Sequence, residues 1–221
     1  LAVLILTAVF QSHIYQIGSL FLGFIVFSIP IVIKEEKDSI VGYGKNIIFL
    51  IAGIVLVAAI TYLNPTGGQE SSINLLQMNF GTGVYTFFVA MIAISAMVLP
   101  GISGSTLLLI FGLYVPIINA VKDVLLFQFE ALPAVIVFSL GILAGIASVV
   151  RFVKIALERF RSQTIYAIIG LMIGSLYAIV MGPTTLDVPQ QAMSISTFSV
   201  IFFLIGGMMI LGLQLLKGIQ K

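Results

Sequence analysis

Six residues near the middle of the chain, Pro100 to Ser105 in the run "AMVLPGISGSTLLLIFGLY", have the types and spacing to do chemistry. Pro100 has no amide hydrogen and clashes with the turn before it, so it ends or kinks any helix it follows. Gly101 and Gly104 open backbone conformations closed to other residues and let a ligand come near the main chain. Ser103 or Ser105 is suited to cap a helix that starts at about Thr106. A helix start presents free N–H groups and about half a positive charge, which favour an anion. Serine hydroxyls add donors without bringing formal charge into an apolar setting. Taken singly, each glycine or serine here reads as packing. Together with Pro100 they make five such small or helix-breaking residues in six, and between two strongly apolar runs they point to an anion site.

The second candidate is basic. "RFVKIALERFR" places Arg151, Lys154 and Arg161 at spacings that could line one side of a short helix. Its plain reading is topology and contact with anionic headgroups. Its sharper reading is a cytoplasmic phosphate station, with Arg151 nearest the apolar segment and able to grip phosphate bidentately. Other chemistries lack their residues. There is no cysteine, so no disulfide or thiolate metal site. The single histidine, His13, excludes di-histidine metal and histidine-phosphatase sites. No nucleotide-binding P-loop pattern occurs, and no nucleophile–base pair suggests an enzyme. Glu130 and Glu158 lie near segment ends, so neither reads as a proton relay. No cofactor is expected.

These residues must be positioned by membrane helices. Of 221 residues, 60% are hydrophobic and 8% charged, with a mean hydropathy of +1.23, against about 25% charged in soluble domains. Apolar segments fall at roughly 14–33, 47–63, 82–99, 105–121, 132–150, 164–181 and 197–216, each long enough to cross or nearly so. They should be helices, because lipid cannot satisfy open backbone groups. The expectation is an all-α polytopic membrane protein with about six to eight transmembrane or re-entrant helices. Basic content alternates between connections. Lys34, Lys37 and Lys45 occupy 34–46; Arg151, Lys154, Arg159 and Arg161 occupy 151–163; Lys217 and Lys221 end the chain. Segments 64–81 and 182–196 carry only Glu70 and Asp187. The first three are therefore cytoplasmic and the last two external. Segments 82–99 and 105–121 must then together begin and end outside, as two crossings or as a re-entrant hairpin. Tyr15, Tyr62, Tyr85, Tyr114 and Tyr166 lie near segment ends, as an aromatic belt would. Gly141, Gly145, Gly170, Gly174, Gly206 and Gly207 are expected at helix contacts.

An offset of 151 aligns "IYQIGSLFLGFIVFSI" (14–29) with "IYAIIGLMIGSLYAIV" (165–180) without gaps. "FLIAG" (49–53) similarly resembles "FLIGG" (203–207). The topology gives the two copies opposite orientation, an inverted-repeat transporter architecture with its site near the midplane. Within a single membrane domain, 1–221, residues 1–63 are the remainder of a first repeat. Residues 82–216 are the second, with the broken-helix hairpin at 82–121. The counterpart of the 100–105 motif would precede Leu1, so the short apolar run "LAVLILTAVF" reads as the truncated end of a helix and the first repeat as incomplete.

"SAMVLPGISGSTLLLIFGLY", followed by "YAIIGLMIGSLYAIVMGP", resembles the polyprenyl-phosphate (undecaprenyl phosphate) transporter family, of PopT type, long grouped as domain of unknown function 368. The resemblance covers essentially the whole chain. It implies a flippase of the bacterial cytoplasmic membrane, multi-pass, returning undecaprenyl phosphate carrier for cell-wall polymer synthesis. It maps a substrate motif onto Pro100, Gly101, Ser103, Gly104 and Ser105. The family's first motif, Pro-Gly-Val-Ser-Gly-Gly, has no match here, in keeping with the missing repeat partner. Expected partners are the polyprenyl-phosphate lipid and membrane lipids, with a homo-oligomer open and nucleic acid not expected. The competing readings are a transporter or channel for a small soluble anion, and a non-transporting structural membrane subunit.

Overall fold

A computed structural model describes residues 13–41, 44–63, 75, 78–97, 104–185 and 189–219, and every regular element among them is helical. The helices are α1 (Ile14–Glu35), α2 (Lys37–Ile40), α3 (Ile47–Leu63), α4 (Phe80–Met97), α5 (Gly104–Ile110), α6 (Tyr114–Leu125), α7 (Leu132–Arg159), α8 (Arg161–Met181) and α9 (Val200–Ile219). Five stretches are long and apolar enough to cross a bilayer, a sixth if the bent pair α5–α6 is one span, and Val200–Leu216 adds a shorter apolar helix. This is the all-α polytopic membrane architecture expected. Large side chains such as Ile48, Phe88, Leu143 and Met208 stay exposed, where lipid rather than water would meet them. The run Leu1–Phe10, and with it the proposed helix end, lies outside the described residues.

The chain forms two compact units, Leu1–Thr61 with Ser162–Lys221, and Tyr62–Arg161. In the first, glycines let helices touch backbone to backbone. Gly23 of α1 faces the Phe203 carbonyl and Gly207 of α9, and Gly206 faces Leu20 and Phe24. Contacts advance together along both chains, so α1 and α9 run parallel, and Gln214 Nε2 donates to Glu35 Oε1 at 3.3 Å at their shared end. The α3–α8 pair is built alike. Gly170 faces Leu50, Gly53 faces Ala167 and Leu171, and Gly174 faces Ile54 and Val57. Asn46 Nδ2 donates to Ser162 Oγ at 2.8 Å where that pair begins. Gly18, near the start of α1, lies beside Ile179, near the end of α8, so the two pairs are antiparallel. The pairing agrees with the inside–outside order inferred from the basic residues.

In the second unit α4 and α7 are parallel, with Gly141 against Phe87 and Ala90 and Gly145 against Met91 and Ile94. Thus Gly141, Gly145, Gly170, Gly174, Gly206 and Gly207 all sit at helix contacts. Without a hydrophobic drive between helices in lipid, such close backbone approach supplies the packing energy. A core of Leu75, Val89, Leu113, Ile117, Ala120, Ala131 and Ala134 holds α4, α6 and the start of α7 together.

Two expectations need correction. Segment 105–121 is not one helix but α5 and α6, bent by 108°. Residues 151–163 are not a loop around a short helix. Helix α7 runs on to Arg159, 28 residues in all, and α8 starts at Arg161. At 1.5 Å per residue α7 is about 42 Å long, beyond a hydrocarbon core of about 30 Å. Its basic end therefore emerges as helix, where backbone needs are already met.

Candidate functional site

Helix α4 begins with a reciprocal cap. Thr82 N donates to Asn79 Oδ1 at 2.8 Å, and Asn79 N donates to Thr82 Oγ1 at 2.9 Å, the logic of a capping box. This starts the helix at Phe80, two residues before the apolar run. It continues to Met97, and the next described helix starts at Gly104. Pro100, Gly101 and Ser103 lie between, outside the described residues.

The return limb runs back along α4. A Cβ on Gly104 would stand 3.1 Å from the Ala93 carbonyl, and Tyr85 Oη donates to the Phe111 carbonyl at 2.8 Å. Gly104 is half-buried and Ser105 exposed. The helix starts at Gly104, not Thr106, so Ser105 belongs to its first turn rather than capping it.

Helix α5 is only seven residues, about 10 Å. Its stop is built from backbone. Gly112 adopts φ 66°, Gly112 N donates to Leu109 O at 2.9 Å, and Leu113 N donates to Leu108 O at 2.8 Å. These two bonds make a Schellman motif, with glycine at its left-handed position. Leu113 is wholly buried and Leu108 packs on the same core, completing the apolar clasp of the motif. The bond from Tyr85 satisfies a carbonyl that the break at 111–113 sets free. Tyr85, expected as a belt residue, is thus a strut across the hairpin. Tyr85→Phe should lower the thermal stability of the purified protein by the equivalent of about 1 kcal/mol while leaving its helix content by circular dichroism unchanged.

The return limb thus bends between α5 and α6. Helix α6 ends in a similar clasp, with Phe127 at φ 64°, Phe127 N donating to Val124 O at 3.1 Å and Gln128 N to Asp123 O at 2.9 Å. Asp123 and Glu130 line a cavity at this end, near the start of α7. Because α4 and α7 are parallel, these carboxylates lie near the start of α4, whereas Gly104 packs near its other end, Met97, about 27 Å along its 18 residues. Thr86, fully buried one residue beyond Tyr85, has a hydroxyl with no hydrogen-bond partner among the described residues. Nothing in the sequence singled it out.

Arg151 is exposed on α7. The α7 face toward α4 carries Gly141, Gly145 and Val149, all buried; at 100° per residue, Arg151 lies about 200° round from Val149. In height it comes level with the end of α4, since Gly145 pairs with Met91 and Ile94. The hairpin brings Gly104 and Ser105 back against α4 but does not turn Arg151 toward them. Lys154 pairs with Glu158 at 3.9 Å, both well exposed. Among the described residues no group of three His, Cys, Asp or Glu could hold a metal ion.

With the hairpin described, the chain can be compared with known proteins. Residues 1–197 match the VCA0040-like family model, described as undecaprenyl phosphate translocase-like. A polyprenyl-phosphate transporter of Staphylococcus aureus is 31% identical over 163 residues, covering 74% of this chain and 57% of that protein. A polyprenyl-phosphate transporter of Vibrio cholerae is 33% identical over 165 residues, covering 75% of this chain and 47% of that protein. The chain thus spans about half the length of the curated relatives it matches. No solved structure matches it. With a family match over 197 of its residues and several helices long and apolar enough to span a bilayer, the chain belongs to the undecaprenyl phosphate translocase-like family of multi-pass membrane proteins.

Proposed function

We propose that the chain is part of a flippase that returns polyprenyl phosphate, in the form of undecaprenyl phosphate, across the bacterial cytoplasmic membrane for cell-wall polymer synthesis. The observation that carries this reading is the return of α5 along α4, with Gly104 and Ser105 at its start, in a member of this family. The headgroup would meet Pro100, Gly101, Ser103, Gly104 and Ser105, where freed backbone N–H groups and hydroxyls offer donors. The prenyl chain would stay in lipid. Dispensing with a buried cation suits the bilayer, where a formal charge at the helix centre costs about 3 kcal/mol or more. Arg151, exposed and turned from α4, fits a later role, receiving phosphate at the cytoplasmic surface. The protein would act as a transporter, without covalent chemistry, and could do so in a homo-oligomer.

The test is transfer of labelled undecaprenyl phosphate between leaflets of proteoliposomes. Hydrogen bonds to a charged partner are worth about 1.5–3 kcal/mol each, so Ser103→Ala with Ser105→Ala should slow transfer at least tenfold. Unchanged transfer in a folded double variant would remove the site assignment. Flux of a soluble anion instead of the lipid would favour the aqueous transporter reading.

A further inference from the structure

Two long hydrogen bonds in the first unit share an arithmetic that packing alone does not require. Tyr15 Oη donates to the Gln191 carbonyl at 3.0 Å, and Tyr166 Oη donates to the Ile40 carbonyl at 3.3 Å. The offset aligning 14–29 with 165–180 is 151. Adding it to Tyr15 gives Tyr166, and adding it to Ile40 gives residue 191. The two carbonyls lie outside the aligned segments, so their agreement is independent of the alignment. Each bond ties the first helix of one copy to the connection leading into the second helix of the other. An aromatic belt would place two tyrosines near helix ends. It would not give them matched acceptors.

The helix seams follow the same exchange. Helix α1 of the first copy packs on α9 of the second, and α8 of the second packs on α3 of the first. The seams differ in register. With 14–29 aligned at an offset of 151 and "FLIAG" on "FLIGG" at an offset of 154, Gly174 corresponds to Gly23 and Gly53 to Gly207. Gly23 meets Gly207, whereas Gly174 meets Ile54 and Val57, and Gly53 instead meets Gly170. The shift is four residues, one helical turn or about 6 Å. One-turn steps between packed elements are an established form of switching transition, and glycine-lined seams offer few side chains to interlock against such a step.

We infer that Tyr15 and Tyr166 are matched latches of an interlocked inverted repeat, one at each membrane face, and that one releases while the other holds. This rests on the reading that the protein moves a headgroup between the two faces. By the basic-residue order, the Tyr15 latch is external and the Tyr166 latch cytoplasmic. Alternation then comes from the repeat itself, since each face is closed by the same bond made in opposite orientation.

The chain has no cysteine, so single introduced thiols report cleanly. Met193 is buried against Gly18 near the external latch, and Ser162 is buried against Asn46 near the cytoplasmic one. Maleimide labelling of Met193→Cys from outside and Ser162→Cys from inside is measured in the intact protein in its membrane. Losing one hydrogen bond of ordinary strength shifts an opening equilibrium about three- to tenfold. Tyr15→Phe should raise labelling at 193 by that factor and leave 162 unchanged or lower. Tyr166→Phe should do the reverse. Equal increases at both sites in either variant, or no change in both, overturn the latches. Labelling needs no lipid substrate, so reciprocal shifts in a protein that moves no undecaprenyl phosphate would keep the latches and discard the substrate.

Discussion

Gly170→Leu is expected to prevent stable folding. The residue stands where α8 meets α3, and even a single added carbon would run into the Leu50 carbonyl and its neighbours. The obstacle is the backbone of α3, a 17-residue helix of about five turns, so no rotamer change relieves it; the two helices must separate. Overpacking a tight core costs about 1–3 kcal/mol for extra methylenes that side chains can absorb. Here four carbons meet main chain, and the cost should exceed about 4 kcal/mol, at the exceptional end for one substitution. Parting the helices also forfeits their dispersion contacts, the main attraction available in lipid. The readout is the monodisperse fraction after detergent extraction and its melting temperature. Gly44→Ala serves as the control, because a Cβ there meets nothing within 4 Å. If Gly170→Leu extracts and melts like the control, the α3–α8 seam is misplaced.

The second large effect concerns the hairpin. Leu113→Ala should loosen the turn between α5 and α6 and, with it, the whole return limb. Leu113 has no exposed surface, anchors the clasp after Gly112 and sits in the core with Val89, Ile117 and Ala134. Soluble cores lose about 2–5 kcal/mol on Leu→Ala. In a bilayer the transfer part is small, since lipid is as apolar as leucine, and the cavity part remains. About 2 kcal/mol is the expected loss. It should show as faster amide exchange over 104–113 than over α8, whose seam the change does not touch. Uniform protection in both stretches would mean that the clasp does not hold the limb.

Much of this molecule is legible in one dimension because the bilayer imposes so few solutions. Apolar runs of spanning length must become helices, and the lysines and arginines between them set which end faces the cytoplasm. The strand of inference from Lys34, Lys45 and Arg161 to alternating helix direction survives in the parallel and antiparallel pairs. The six contact glycines were legible for a similar reason, as small residues are what helices in lipid need to approach. The interruption of the apolar pattern at Pro100 was legible because proline and glycine act locally.

The second break was not. Gly112 lies inside "LLLIFGLYVPII", whose hydropathy runs on without a dip, and a lone glycine does not by itself stop a helix. What stops it is tertiary, the burial of Leu113 and the hydrogen bond from Tyr85. Phe127 at positive φ carries no local signal at all, since aromatic side chains ordinarily avoid that region. The extension of α7 past Arg151 also escaped, because charge ends an apolar run without ending a helix.

The sequence by itself determined a polytopic helical protein, its likeness to lipid-phosphate transporters and the direction of each helix pair. These follow from backbone needs in lipid and from residues that act through their own φ and their own charge. Only the tertiary structure decided that the return limb breaks again, that Arg151 turns away from α4, and that Tyr15 and Tyr166 hold matched carbonyls. Those outcomes depend on which surfaces meet across 26 to 176 residues of chain, and no local pattern of hydropathy encodes a meeting at that range.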